Sequence, residues 1–442
     1  MSRADTIFAV STGGGRAGVA VIRVSGPDSL SALRTLIGGD EAGSALQVPR
    51  LLRRFDLKDA KGALLDEAMV AHFLGPNSFT GEDVVELHTH GSPAVVRAVL
   101  STLSLLPGLR PAEAGEFTQR AFLNGKMDLA AVEGLGDLID AQTEAQRRLS
   151  LRQLGGALSV QVLEWRESII MLRAETEAWI DFPDEDLPND FFPTVRSRAK
   201  RLADAMNTAT AQSHRLAAHV RDGFSVALVG LPNVGKSSLL NALAARDVAI
   251  VTDVAGTTRD ALSVPIELDG FLINVVDTAG MRETDDKVEA IGVDRAIKAA
   301  LTSDLVLWLI DERGEDPDIA ARLKGSPCVK IATKQDIWTS TTVDLGVSVH
   351  SGDGLDAVLA TVQDCLLGEG VSLDTVLPMG RQRHAHHVAQ AVEALVRCDD
   401  HDELALLAEC MRDASAALGR ITGAVDVEDV LDHIFSRFCI GK

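Results

Sequence analysis

Residues 230–237 read Gly230-Leu231-Pro232-Asn233-Val234-Gly235-Lys236-Ser237, and their reading decides the fold. An apolar run, Val226-Ala227-Leu228-Val229, precedes them, and Ser238-Leu239-Leu240-Asn241-Ala242-Leu243 follows with helix-forming character. This is G-x-x-x-x-G-K-S between a strand and a helix, the context in which the motif cradles phosphates. The glycines let backbone N–H groups turn inward, and the helix N-terminus adds a favourable dipole. Lys236 can reach the β- and γ-phosphates, and the Ser237 hydroxyl can ligate Mg²⁺. A glycine-bearing turn that binds nothing is the bland alternative. The complete spacing and both flanks argue against it.

Four further signals follow in the order a GTPase requires. Gly256-Thr257-Thr258-Arg259-Asp260 offers loop threonines, of which Thr258 can ligate Mg²⁺ beside a γ-phosphate. Asp277-Thr278-Ala279-Gly280 follows a strand; its Asp can hold Mg²⁺ through water and the Gly280 N–H can sense the γ-phosphate. The base-reading element is Thr333-Lys334-Gln335-Asp336 where GTPases carry N-K-x-D. Asp336 keeps the bidentate acceptor that favours guanine, while Thr333 replaces the Asn, so one amide contact is lost or replaced. Ser348-Val349-His350 departs from the usual S-A-K. The expectation is GTP over ATP. Many GTPases place a water-positioning Gln after D-x-x-G, but here stands Met281, and Glu283, Asp285, Asp286 and Glu289 are the nearby acids. They are either a solvated loop or the source of a replacement carboxylate, and pattern alone does not choose. With no arginine finger evident, a monovalent cation beside the phosphates could serve its electrostatic role.

The whole chain has 442 residues, room for about two to four domains. Its 46% hydrophobic and 24% charged residues are those of an ordinary globular protein. A net charge of −21 rules out bulk electrostatic coating of nucleic acid, so any such role needs local basic patches or a partner's surface. The five cysteines form no C-x-x-C pair, and no apolar run reaches membrane-spanning length. A cytoplasmic protein without membrane association is expected.

Residues 1 to about 115 read as mixed α/β, with strands at 6–10, 19–24, 69–74 and 84–88 and a helix at 93–106. Arg23 and Glu86 interrupt apolar strands. Each either faces solvent by alternation or belongs to a ligand pocket, and spacing does not decide. Helical patterns then run to about 220, including 149–179 and 197–220, with an acidic proline-bearing break at 181–188. Residues 223–368 alternate strands (225–229, 273–276, 305–310, 329–332 and a short one at Val347) with helices, as a doubly wound nucleotide domain does. Helices resume to the end. His384, His386 and His387 lie near Arg381 and Arg383; adjacent His386 and His387 cannot share a helix face, so a solvated basic face is expected over a metal site.

The chain also carries Asp5-Thr6-Ile7, the run 18–26, Pro76-Asn77-Ser78-Phe79-Thr80-Gly81-Glu82-Asp83, Gly115-Glu116-Phe117-Thr118, Arg120-Ala121-Phe122-Leu123-Asn124-Gly125-Lys126 and a final Phe438-Cys439-Ile440-Gly441-Lys442. With the nucleotide motifs, these resemble the bacterial tRNA-modification GTPases of the MnmE (TrmE) family over nearly the whole chain. The resemblance implies an α/β and α multidomain fold in which a P-loop GTPase domain is inserted in a helical domain and preceded by an α/β folate-binding domain. The implied boundaries are 1–117 for the folate-binding and dimerisation domain, 118–221 and 371–442 for the two parts of the helical domain, and 222–370 for the G domain.

By the same resemblance the nucleotide set is Asn233, Val234, Gly235, Lys236, Ser237 and Ser238; Thr252, Asp253, Val254, Ala255, Gly256, Thr257 and Thr258; Asp277, Thr278, Ala279 and Gly280; and Lys334 with Asp336. Asn233, Thr252, Val254 and Thr257 would hold potassium, and Ser237 and Thr258 magnesium. Glu289 aligns with the family's catalytic glutamate. Arg23, Glu86, Lys126 and Lys442 would bind a tetrahydrofolate derivative, 5-formyl- or 5,10-methylene-tetrahydrofolate. Cys439 is either a nucleophile that handles the one-carbon unit or a structural thiol. The implied assembly is a homodimer that works with the flavoprotein MnmG (GidA), which brings FAD and NADH, on the wobble uridine of certain tRNAs. Two other classes remain to compare: a ribosome-assembly or regulatory GTPase, against which the folate-type domain and the tail argue, and a one-carbon aminomethyltransferase, which leaves the G domain idle.

Overall fold

A computed structural model of the chain describes residues 5–38, 48–181, 188–245, 262–277, 297–298, 300–339, 343, 345–368, 373–374, 376–425, 431, 434–436, 438 and 440–441. The chain mixes sheets and helices in two units, one of Met1–Gly136, Ser159–Ile170 and Ser415–Lys442, the other of Asp137–Leu158 and Met171–Ala414.

In the first unit, β1 (Thr6–Val10), β2 (Ala17–Ser25), β3 (Arg53–Lys58), β4 (Leu64–Phe73), β5 (Val84–Gly91) and β6 (Leu109–Pro111) form one sheet in the order β3-β4-β5-β2-β1-β6. Neighbours are antiparallel except β1 and β6. Period-two alternation sorts the side chains: Phe8, Ile22, Val24, Val85 and Leu87 bury against α1 (Ser29–Leu36) and α2 (Pro93–Ser104) through Leu33, Leu36, Val99 and Leu103. Burial of each such large side chain contributes about 1.5–3 kcal/mol. The Ser92 side chain caps α2 by accepting from the Ala94 N–H, with Pro93 at the first helical position.

The opposite face carries Ile7 and Ala9, packed with Phe117 of α3 (Glu116–Leu123) and with Phe79. Arg23 and Glu86 lie on this second face, in register across β2 and β5. After α4 (Leu129–Asp140), whose Leu129 and Val132 pack on Ile434 and Phe435, the unit is completed by the C-terminal residues. Ile440 bridges Ala114, and Ser11 Oγ donates to the Gly441 carbonyl at 2.9 Å. Gly441 has φ +99°, and a Cβ there would lie 1.9 Å from the Val10 carbonyl oxygen. Only glycine fits.

The second unit begins with α5 (Glu144–Leu154), started by a capping box of Thr143 with Gln146. The single helix expected over 149–179 is instead α5 and α6 (Ala157–Asp181), interrupted at Gly155 and at Gly156, φ +86°. Two adjacent glycines carry too much backbone freedom to continue the helix. The long α7 (Phe191–Asp222) then leads through Gly223 into β7 (Phe224–Val229). β7, α8 (Lys236–Ala244), β8 (Leu262–Leu268), β9 (Phe271–Asp277), β10 (Leu305–Ile310), α9 (Pro317–Arg322), β11 (Cys328–Ala332) and α10 (Leu355–Leu367) build the nucleotide fold. Its sheet runs β11-β10-β7-β9-β8, parallel except for the β8 edge. The central strands are apolar on both faces: Val226, Leu228 and Leu307 enter one core cluster, Ala227, Val229 and Trp308 the other.

Val347, expected in a strand, sits beside an isolated bridge between Ala332 and Gly346. Of the basic face expected near 384, His386 is exposed but His384 is not. In α11 (Gln382–Val396), His384 is buried on the inner face with Val388, Ala391 and Leu395, and the helix packs along α7. His384 therefore belongs to the core face, and among the described residues no His, Cys, Asp and Glu cluster suits a metal. A helix of about five turns, α12 (Leu404–Thr422), follows. No helix among the described residues is long and apolar enough to cross a membrane.

Candidate functional site

The phosphate loop begins where β7 ends. Gly230 has φ +153°, and a Cβ there would lie 2.6 Å from the Leu309 carbonyl oxygen on the neighbouring β10. Asn233, exposed, turns the loop at φ +60°, and Gly235 at φ +109° starts α8. Positive φ at Asn233 and Gly235 is the kind of backbone turn from which an anion nest is built. The Lys236 side chain folds back over the loop. Its ammonium donates to the carbonyls of Gly230 and Leu231 at 2.9 Å each. Ser237 and Ser238 are exposed at the first turn of α8, and Val234 is buried beneath the loop.

The base loop is tied to this cradle. The Thr333 hydroxyl donates to the Val234 carbonyl at 2.7 Å, and the Thr333 N–H to that of Ile310 at 2.8 Å. The hydroxyl that stands in place of the Asn amide is thus used to bond the phosphate loop. Lys334 follows at φ +59° with its ammonium 3.3 Å from Asp311 Oδ2. Asp336 is exposed; Ser348 Oγ donates to its Oδ1 at 2.7 Å and lowers its pKa, keeping the carboxylate ionised as a fixed acceptor. Ser348 is thus brought to the base loop.

Asp311 and Arg313 were missed by sequence reasoning. Asp311 is 1% exposed at the end of β10 and takes a fork of bonds from the Arg313 guanidinium. That fork is the main cause holding its carboxyl down at about 2. Asp277 closes β9, next to β7. Thr252, Asp253, Val254, Ala255, Gly256, Thr257, Thr258, Thr278, Ala279, Gly280 and Glu289 lie outside the described residues, as do Cys439 and Lys442.

In the first unit, Arg23 Nη2 and Glu86 Oε1 form a 2.9 Å ion pair, with side chains 18% and 20% exposed. The Arg23 guanidinium lies 5.0 Å from the Phe79 ring centroid and 5.7 Å from that of Phe117. Both guanidinium bonds go to Oε1. Glu86 Oε2 faces His88 Nε2 at 3.5 Å, a ring nitrogen without a hydrogen-bond partner among the described residues. Glu86 Oε2 takes no bond from Arg23. Lys126 donates to the Pro76 carbonyl at 2.9 Å. A separate cavity of about 640 Å³, lined by Phe8, Thr12, Gly14, Val96, Leu100 and Ile440 among others, does not include Arg23, Glu86 or Lys126.

The quoted motif residues around this face are largely structural. Glu116 is 8% exposed and accepts from Arg110 at 2.6 Å, Arg120 at 2.9 Å and the Glu113 N–H at 2.9 Å. Burial opposes its ionisation, but these bonds, Arg110 first, prevail and lower its pKa. Arg120 also reaches Glu82 at 3.0 Å, and Ser25 joins Glu82 to Thr80.

Two family models match the chain: the GTP-binding protein TrmE N-terminus over residues 6–126 and the MnmE helical domain over residues 129–439. A curated relative named tRNA modification GTPase MnmE, from Rhodospirillum rubrum, is 47% identical over 99% of this chain and 99% of its own. The chain belongs to the MnmE family. Its relative from Azorhizobium caulinodans, with the same name, is 48% identical over 99% of each chain. Among solved structures, Aquifex aeolicus Era bound to GDP and aluminium fluoride is 25% identical over 38% of this chain and 66% of its own, with a TM-score of 0.26. That superposition is too slight to carry an argument.

Proposed function

We propose that this MnmE-family chain is a potassium-activated GTP hydrolase that times a tRNA modification. Together with a flavoprotein of the MnmG (GidA) type, it adds an aminomethyl or carboxymethylaminomethyl group at C5 of the wobble uridine of certain tRNAs. A tetrahydrofolate derivative supplies the one-carbon unit. GTP hydrolysis and a role in tRNA modification follow from family membership. The potassium, the folate, the flavoprotein partner, the homodimer and the cytoplasmic setting are carried by the residue matches.

The observation that carries the nucleotide reading is the joined site. A buried Lys236 over the loop, a base loop bonded to Val234 and an Asp336 carboxylate fixed by Ser348 form one body. Asp336 provides two acceptor oxygens, which suit guanine's N1 and N2 donors and not adenine. Lys236 is placed to neutralise phosphate charge, and Ser237 is exposed where it can ligate magnesium. When bound, magnesium and potassium supply positive charge against the β- and γ-phosphate oxygens. Asn233, exposed at a left-handed backbone position of the loop, would offer its amide oxygen to potassium. Glu289 would orient the attacking water.

For the one-carbon site, the Arg23–Glu86 pair is half-buried beside two aromatic rings, and the Ile440-Gly441 tail is held against β1 of the same sheet. This supports placing folate binding in the first unit. The test is steady-state GTP hydrolysis in potassium and in sodium, with GTP and ATP competing for binding. Faster turnover in potassium, lost in Asn233→Ala, and preference for GTP are expected. Equal rates in both salts, or equal affinity for ATP, contradict the reading.

A further inference from the structure

Asp311 stands at the junction of three segments. It directly follows β10, the strand adjacent to β7, and its side chain is 1% exposed. Arg313 grips it with Nε at 2.9 Å from Oδ1 and Nη2 at 2.7 Å from Oδ2. The same Nη2 donates to the carbonyl of Pro232, in the phosphate loop, at 2.8 Å. On the other side, Lys334 Nζ lies 3.3 Å from Asp311 Oδ2. One buried carboxylate thus joins the base loop to the turn that presents Asn233.

A buried carboxylate between two cations pays its desolvation only if the geometry is held, so the cluster is rigid in proportion to its burial. Lys334 carries a long, mobile stem that by itself samples many rotamers. With its ammonium anchored, that stem is confined to one path along the base loop. The Pro232 carbonyl would otherwise meet solvent; the guanidinium holds the turn from outside.

We propose that Asp311 is a positioning residue of the guanine-nucleotide site, which orients Lys334 along the base and, through Arg313, braces the Pro232 turn of the phosphate loop. This rests on the reading of Lys334 and Asp336 as the base contacts. Asp311 touches no nucleotide itself. Its effect falls on affinity, because both segments that it fixes are in place before hydrolysis begins.

The test is a double-mutant cycle in the full chain: Asp311→Asn, Lys334→Ala and the pair, with dissociation constants for GDP and GTP and with KM and kcat for GTP. Asp311→Asn should weaken binding about tenfold, about 1.4 kcal/mol, and raise KM with kcat within about twofold. In the Lys334→Ala background the same change should cost less than about threefold. Losses that multiply fully overturn the proposal, as does unaltered affinity in Asp311→Asn. If Lys334→Ala itself binds GDP normally, the base-contact reading fails instead, and this inference with it. Arg313→Ala guards against misfolding of Asp311→Asn, since its side chain is 44% exposed. It should speed GDP release several-fold; an unchanged release rate overturns the bracing role.

Discussion

The Thr333 hydroxyl donates to the Val234 carbonyl at 2.7 Å across 99 residues of sequence, with both residues buried. This bond, beside the Asp311 cluster, ties the base loop to the phosphate loop. Thr333→Val removes the donor at constant shape and leaves a buried acceptor, which costs about 1–3 kcal/mol. Thermal unfolding should show that loss, and calorimetry should show weaker GDP binding. Thr333→Ser, which keeps the hydroxyl, should restore most of both.

Asp311 predicts a pH signature. Its folded pKa, about 2, lies below the ordinary 3.8. A depressed carboxylate contributes stability that is complete above the unfolded pKa and lost as pH falls through the folded one. The difference is about 2 kcal/mol. The destabilisation of Asp311→Asn relative to the parent, measured by denaturant unfolding, should therefore be full above about pH 4. It should shrink towards about pH 2.

How far these features could be read beforehand follows from where each residue sits in its sheet. The phosphate loop and the central strands were legible because apolar runs and glycine spacing are local signals. Strands β3, β6 and β8 were not expected, and all three lie at sheet edges. Edge strands tolerate charge and proline: β3 reads Arg53-Arg54-Phe55-Asp56-Leu57-Lys58, and β8 and β6 contain Pro265 and Pro111. Asp311 follows an apolar strand as Asp311-Glu312-Arg313, which looks like any polar turn. Only the fold brings Pro232 and Lys334 to it. Arg23 and Glu86 stayed ambiguous because alternation reports a face and never says what covers that face.

In the first unit, two carboxylates should behave in opposite ways. Glu116→Ala leaves Arg110 and Arg120 without their shared acceptor and should destabilise the unit by about 2–4 kcal/mol, discounted for the exposure of Arg110. Glu86→Gln should keep thermal stability within about 1 kcal/mol yet abolish binding of 5-formyltetrahydrofolate, followed by calorimetry. Normal folate binding by Glu86→Gln would remove Glu86 from the site.

Glu289→Ala tests the water-positioning role. GTP affinity should stay near the parent value while single-turnover hydrolysis falls by about two orders of magnitude or more, the scale for loss of a general base or water-orienting group. Hydrolysis at the parent rate would pass the role to another acid of the Glu283–Glu289 segment.

The central claim, that GTP turnover in this chain serves wobble-uridine modification, is tested most directly by nucleoside analysis of tRNA from a strain lacking it. Loss of the C5-substituted wobble uridine, restored by the parent chain and not by Lys236→Ala, is the predicted result. Fully modified tRNA in the deletion strain would contradict it.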